Sequence, residues 1–273
     1  MLLPFKSTIY RYLQNIKSDN CHFPFYLFIL LTVVIMSELC SSKLGTKEHW
    51  DSVYNTEVEN FVDHGEEGEI WFGEDSVDKM VTWVQDNFDD KTIQVIDLGC
   101  GNGHLLFRLE DLGFVNLTGV DYSKESINLS QKIGSSHTPP SKASFACLDI
   151  LNLDDISGAL HASTMDHRIR YTLALDKGTL DAISLCEKTG EKSPADTYVE
   201  TVAAMIKPGG VLLLTSCNWT EAEILDRFKA GTIHVKDGSS HSLFEFMDRI
   251  KYPVFKFGGA VGQTITSVAL RRL

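Results

Sequence analysis

The chain has 273 residues, 43% of them hydrophobic and 23% charged, which is enough to bury a sizeable core in one α/β domain with modest additions. Its formal net charge of −12 argues against nucleic acid as a partner, because phosphate binding rests on neutralisation by lysine and arginine. A cationic protein partner suits the balance, and so does plain solubility. The six cysteines (Cys21, Cys40, Cys100, Cys147, Cys186, Cys217) include no CxxC pair, and the nine histidines form no HExxH or Cys/His cluster. No metal site is therefore expected, and reduced intracellular thiols are the simpler account. Cys147 and Cys217 fall in predicted strands, where a thiol acts as a small core hydrophobe.

At the amino end, Lys6, Arg11 and Lys17 precede a nearly uncharged stretch over 21–37 with the look of a signal or membrane anchor. His22 and Pro24 interrupt its start, and its apolar core falls short of the ~20 residues that a span needs. The expectation is a dispensable extension over 1–36, with Met36 offering an alternative start, and a domain over 37–273. No membrane association is expected. Three Asn-x-Ser/Thr sequons, at Asn116, Asn128 and Asn218, read as chance matches, because two of them abut predicted strands.

The 3.6-residue period predicts a helix over 46–61, with Trp50, Val53, Tyr54 and Val58 near one face, and another over 74–88. From Glu57 to Asp90 acids abound and Lys79 is the only lysine or arginine, which reads as a solvated face. A strand over 93–98 follows, then a helix after Gly103 and a strand over 117–120 ending at Asp121. Ser123 is placed to cap a helix to Ile133. After a loop around Pro139 and Pro140 come a strand over 144–148 and an irregular stretch over 151–170. Then follow a strand over 171–175, a helix over 195–206, a turn over 207–210, a strand over 211–215 and a helix over 220–229. Two strands close the chain, over 254–257 and 264–270, with a turn at Gly258 and Gly259. Alternating strands and helices imply a doubly wound, mostly parallel sheet. The last two strands, lacking a helix between them, should form an antiparallel hairpin and make seven strands.

Ligands of such a sheet sit beyond the carboxyl ends of its strands. The first strand carries Asp97 and runs into Gly99, Gly101 and Gly103, a loop that lets backbone approach a ligand closely. The dinucleotide fingerprint needs a third glycine where His104 stands, so NAD is disfavoured. Asp-x-Gly-x-Gly-x-Gly instead resembles motif I of the S-adenosylmethionine-dependent methyltransferases with a seven-stranded sheet. Four acids stand at four strand ends, Asp97, Asp121, Asp149 and Asp176. Such acids suit a ligand made of cations and donors, and they would repel a diphosphate. Asp97 is expected to face the methionine ammonium and Asp121, with Tyr122 beside it, the ribose diol. Asp149 is expected to face the adenine amine while Ile150 packs on the ring. Asp176 and Asp181 are candidates for positioning the acceptor, neither being an obvious strong base. At pH 7 an acceptor lysine must lose a proton at a cost of roughly 4–5 kcal/mol. The Asn/Asp-Pro-Pro-aromatic motif of amino-methylating nucleic-acid enzymes is missing after the fourth strand.

More specific strings narrow the reading: Ser42-Lys-Leu-Gly-Thr-Lys-Glu-His-Trp50, Trp71-Phe72-Gly73, Asp176-Lys-Gly-Thr179, Ser216-Cys-Asn-Trp-Thr220 and Phe255-Lys-Phe-Gly-Gly259. Together they resemble the lysine methyltransferase 2 family that modifies translation elongation factor 1-alpha. The resemblance implies S-adenosylmethionine as cofactor, a lysine of that basic protein as acceptor, and a cytoplasmic protein with nuclear presence allowed. It also implies that Tyr54 and Trp71 help close the cofactor site; the residues alone leave both equally readable as core aromatics. The stretch 158–170 is longer than the family pattern, and His104 is given no role beyond packing. The residues themselves leave open another protein acceptor, a small molecule, or a non-catalytic partner subunit.

Overall fold

The computed structural model describes residues 41–273 apart from 153–169, 189–191, 231, 235–239, 254, 258–259 and 263. The amino-terminal extension, Met36, Cys21, Cys40, most of the irregular stretch after Leu151 and the Gly258-Gly259 turn lie outside the described residues. After a 3-10 turn at Lys43–Gly45, helices α1 (Lys47–His64) and α2 (Glu74–Asn87) lead into the sheet. The elements then run β1 (Gln94–Leu98), α3 (His104–Asp111), β2 (Asn116–Asp121), α4 (Lys124–Ser136), β3 (Ser144–Cys147) and β4 (Tyr171–Lys177). They continue with α5 (Thr179–Ile183), α6 (Pro194–Met205), β5 (Ile206–Ser216), α7 (Glu221–Ala230), β6 (Thr232–His234) and β7 (Ser240–Ser242). The last are β8 (Phe244–Ile250), β9 (Phe255–Phe257), β10 (Ala260–Gly262) and β11 (Thr266–Arg272).

Seven strands form one sheet in the order β3-β2-β1-β4-β5-β11-β8. Strands β1 to β5 are parallel and β11 runs antiparallel between β5 and β8. Strand order reverses between β1 and β4, and that switch point fixes where a ligand can sit. Most expected elements lie within a few residues of their places. Ser123 caps α4 by accepting from Ser126 N, as a serine before an apolar-periodic run should. Residues 207–210 form the expected turn as a bulge: the β4–β5 pairing jumps from Tyr171–Ile206 to Leu173–Val211, with Gly209 at φ 78°.

The closing hairpin needs correction. Its first strand is Phe244–Ile250, not 254–257. Residues 255–257 pair instead with 260–262 in a separate ribbon. The edge strand β8 carries Glu245, Asp248 and Arg249, because an edge presents half its residues to water. That charge hides it from a β-propensity reading, whereas Val-Phe-Lys-Phe is β-prone wherever it lies. Cys147 and Cys217, expected in the core, are both exposed, each standing where its strand gives out.

Alternation along the strands divides the side chains between two faces. Val95, Leu117, Leu173, Leu175, Val211 and Leu213 share one core with Val77, Met80, Val81 and Val84 of α2 and Leu105, Leu106 and Leu109 of α3. The α2 helix is further tied to the edge strand by Trp83 Nε1, which donates to Asp248 Oδ2 at 2.8 Å. We expect Leu213→Ala to lower the free energy of unfolding in urea by about 2–5 kcal/mol. Trp83→Phe, which loses that hydrogen bond and leaves part of the buried indole's space unfilled, should cost about 1–4 kcal/mol in the same measurement.

Candidate active site

Motif I is built by the end of β1 folding back on β2. Gly99 N and Cys100 N both donate to Val120 O, at 2.8 and 2.9 Å, and Gly101 N donates to Asp121 Oδ2 at 3.2 Å. Gly99 and Gly101 have φ of 69° and 56°, in the left-handed region that a side chain resists. Space forbids a side chain as well: a Cβ on Gly99 would lie 2.2 Å from Thr179 Oγ1, and one on Gly101 2.8 Å from Tyr54 Oη. Gly103, at φ 82°, ends the loop as the residue before α3. His104 does more than pack: its Nε2 meets Glu74 Oε2 at 3.2 Å, joining α3 to α2.

The register decides which acids share the site. Asp97 aligns with Gly119 on β2 and with Leu175 on β4, so Asp121 and Lys177, each two residues further on, rise from the same face as Asp97. Asp97 is 3% exposed and Asp121 5%. Burial lifts the Asp97 carboxyl to a pKa of about 7; the Lys177 ammonium opposes that rise and Asp121 adds to it. Among the described residues no group hydrogen-bonds to the Asp97 carboxylate. Asp121 is raised by burial and held back by its bonds from Ser123 N and Gly101 N. Two donors leave its carboxylate with accepting capacity to spare. Past the end of β3, Asp149 Oδ1 accepts from Leu151 N at 2.9 Å, and Ile150 is buried. Tyr122 Oη donates to Thr46 O at 3.4 Å under the Lys47 ammonium, 5.7 Å from the ring centre.

The amino-terminal segment covers this face. Tyr54 is buried with its hydroxyl beside Gly101. Trp50 stacks on Tyr54 at 6.2 Å between ring centres and meets Trp71 edge-on at 4.9 Å. Asn102 Nδ2 in motif I donates to Glu67 O at 2.9 Å, and Lys177 Nζ donates to Trp71 O at 2.9 Å. Tyr54 is thus a core aromatic and a wall of motif I at once, and the half-buried Trp71 packs on Trp50 beside it.

Asp176 and Asp181 have other occupations. Asp176 aligns with Leu98, one residue out of step with Asp97, so its side chain leaves the opposite face of the sheet. It is fully buried and accepts from Thr179 N, Leu180 N and the Tyr198 hydroxyl. Burial lifts its carboxyl to about 7, against the pull of Tyr198. Asp181 accepts from Ser216 Oγ at 2.5 Å, Cys217 N at 3.0 Å and Asn218 N at 3.2 Å. These carboxylates shape the loops after β4 and β5, and the register of Asp176 corrects the expectation that four acids face one crevice. Three residues escaped the sequence reading. Thr179 Oγ1 donates to Leu98 O at 2.6 Å and locks the ends of β1 and β4 together. Lys177 stands beside it, both legible only as letters of the Asp-Lys-Gly-Thr string. Tyr198, distant along the chain, gave no signal.

The residues present fit S-adenosylmethionine: a nearly buried Asp97 carboxylate that accepts no protein hydrogen bond among the described residues for its ammonium, spare acceptors on Asp121 for a diol, Asp149 and Ile150 for the adenine, and a loop that admits no Cβ. When bound, the cofactor supplies a methyl group activated by its sulfonium.

A methyltransferase domain model matches residues 89–259. The chain is 38% identical to protein-lysine N-methyltransferase efm4 of Schizosaccharomyces pombe, over 86% of this chain and 97% of that protein. It is 35% identical to EEF1A lysine methyltransferase 2 of Homo sapiens, over 85% of this chain and 88% of that one. The chain belongs to the EEF1A lysine methyltransferase 2 family. The fold agrees with the family: the crystal structure of magnesium protoporphyrin IX methyltransferase from Synechocystis, solved with its cofactor, superposes with a TM-score of 0.51. That match has 16% identity, over 81% of this chain and 97% of the other.

Two outcomes follow for this family member. Asp121→Ala should leave the fold intact and weaken S-adenosylmethionine binding in calorimetry by about 1.5–3 kcal/mol, the scale of a charged hydrogen-bond pair. Because the raised Asp97 carboxyl takes up a proton as pH falls through about 7, affinity for the cationic cofactor should fall in the same range. In Asp97→Asn that dependence should disappear, together with the affinity.

Proposed function

We propose that this chain transfers the methyl group of S-adenosylmethionine to a lysine side chain of translation elongation factor 1-alpha. Family membership makes it a methyltransferase, and relatives sharing more than a third of its residues carry the names of protein-lysine and EEF1A lysine methyltransferases. The observation that carries the cofactor reading is the Asp97 carboxylate, buried beside a glycine cradle and aligned on one face with Asp121. A nucleotide bringing phosphates there would meet two carboxylates instead of a cation. Exposed Asp63, Glu66, Glu67, Glu69, Glu74 and Asp75 flank Trp71 and support a basic protein as acceptor.

The acceptor must arrive with a lone pair. Asp176 and Asp181 already accept from three or more donors each, so neither is free to serve as a base. Desolvation of the acceptor ammonium and its approach to a sulfonium both favour the neutral amine. Transfer is then a matter of alignment along the breaking bond. A cytoplasmic location goes with this substrate, and subcellular fractionation tests it.

The deciding experiment is intact-mass analysis of purified elongation factor 1-alpha after incubation with the chain and S-adenosylmethionine. We expect mass gains of whole methyl groups, mapped to a lysine. An unchanged factor, alongside label transferred only to low-mass metabolites of a lysate, would overturn the substrate.

A further inference from the structure

Lys177 is the last residue of β4, and the pairing of Asp97 with Leu175 puts its side chain on the Asp97 face. Its ammonium donates to the Trp71 carbonyl at 2.9 Å and lies 5.9 Å from the centre of the Phe72 ring. Phe72 is the only non-glycine residue at positive φ among the described residues, at 65°. That backbone is unfavourable for an aromatic residue and persists only where surroundings impose it. Here the Phe72 carbonyl accepts from Ser76 Oγ at 2.8 Å, and its ring lies against Gly178, where a Cβ would come within 3.1 Å of it. The segment before α2 is therefore held in a strained shape directly over the carboxyl end of β4.

The charges around this lysine are unequal. Facing Asp97 are Lys177 from β4 and Asp121 from β2. The charges that act on Lys177 are Asp97 from β1, Asp176 on the other face of its own strand and Glu74 from α2, which together oppose the loss of its proton that burial favours. Asp97 thus has a single cation among its near charges, and that cation is anchored at a fixed place by the Trp71 carbonyl.

We propose that Lys177 is a positioning residue of the cofactor site: its charge is the resident counter-ion of Asp97, and its hydrogen bond pins residues 71–73 over the end of β4. Lys177 thereby keeps Asp97 ionised to a lower pH than burial alone would allow, and residues 71–73 are in place before the ligand arrives. This rests on the reading that Asp97 receives the cofactor's ammonium.

Three variants separate the two roles. Lys177→Gln keeps a donor for the Trp71 carbonyl and removes the charge, Lys177→Arg keeps the charge, and Lys177→Met removes both. Carbon-13 NMR titration of the Asp97 carboxyl in the ligand-free protein reads the counter-ion directly. Calorimetry with S-adenosylhomocysteine between about pH 6 and 8 reads its consequence. Limited proteolysis over residues 66–73 reads the latch. We expect Gln and Met to move the Asp97 titration upward and to weaken binding at neutral pH by about fivefold for the first unit of that movement and about tenfold for each further unit. The loss should shrink toward the alkaline end, and Arg should restore the wild-type midpoint. Met, and not Gln, should open the segment to protease. A Gln variant with the wild-type Asp97 midpoint, or one weakened equally at every pH, would overturn the proposal. Wild-type binding without any pH dependence would overturn the role of Asp97, while the ligand-free titration would still decide whether Lys177 is its counter-ion.

Discussion

A carboxylate withdrawn from water without a hydrogen-bond donor is expensive to keep ionised, and the first strand of this sheet places one, Asp97, at the point where strand order reverses. Much of the surrounding structure answers to that charge. Register alone puts Lys177 and Asp121, from the two neighbouring strands, on the same face as Asp97. The glycine loop beyond it is pulled onto β2 through the Val120 carbonyl and the Asp121 carboxylate. An acid in this position is poorly satisfied by the protein itself, and a cationic ligand satisfies it.

The second constraint is closeness. Gly99 and Gly101 are required twice over, by backbone sign and by the atoms of Thr179 and Tyr54 that occupy the space a Cβ would need. Those two contacts come from opposite ends of the chain's logic. Tyr54 belongs to the helix that precedes the sheet, whereas Thr179 starts the short helix after the fourth strand. Motif I is thus clamped by residues that precede and follow it in the chain, and Trp71, Phe72 and Lys177 meet beside it. The loops after β4 and β5 are held by a parallel device: Asp176 and Asp181 spend their oxygens on backbone amides and hydroxyls there. Carboxylates used this way give rigid loops and no proton transfer, which agrees with a reaction that needs alignment more than a base.

Single-residue parity explains where the sequence reading of the site failed. Asp97 and Asp176 both stand at strand ends and look equivalent in one dimension, yet a shift of one position in register sends them to opposite faces. The hairpin failed for a related reason. Strand β8 earned no attention because its outward residues are charged, and only pairing with β11 identifies it as part of the sheet. Cys147 and Cys217 show the same limit: a place near a strand's end does not by itself mean a place in the core.

The sequence by itself determined the order of β1 to β5, the glycine loop with its acid, and the family, because these reside in local periodicity and in contiguous strings of residues. The tertiary structure alone decided which acids share a face, that Lys177 stands beside Asp97, and that Tyr198 and Asp176 meet across twenty-two residues of chain. Such pairings depend on register between strands and on packing across the sheet, and neither is written in the spacing of residues along one strand.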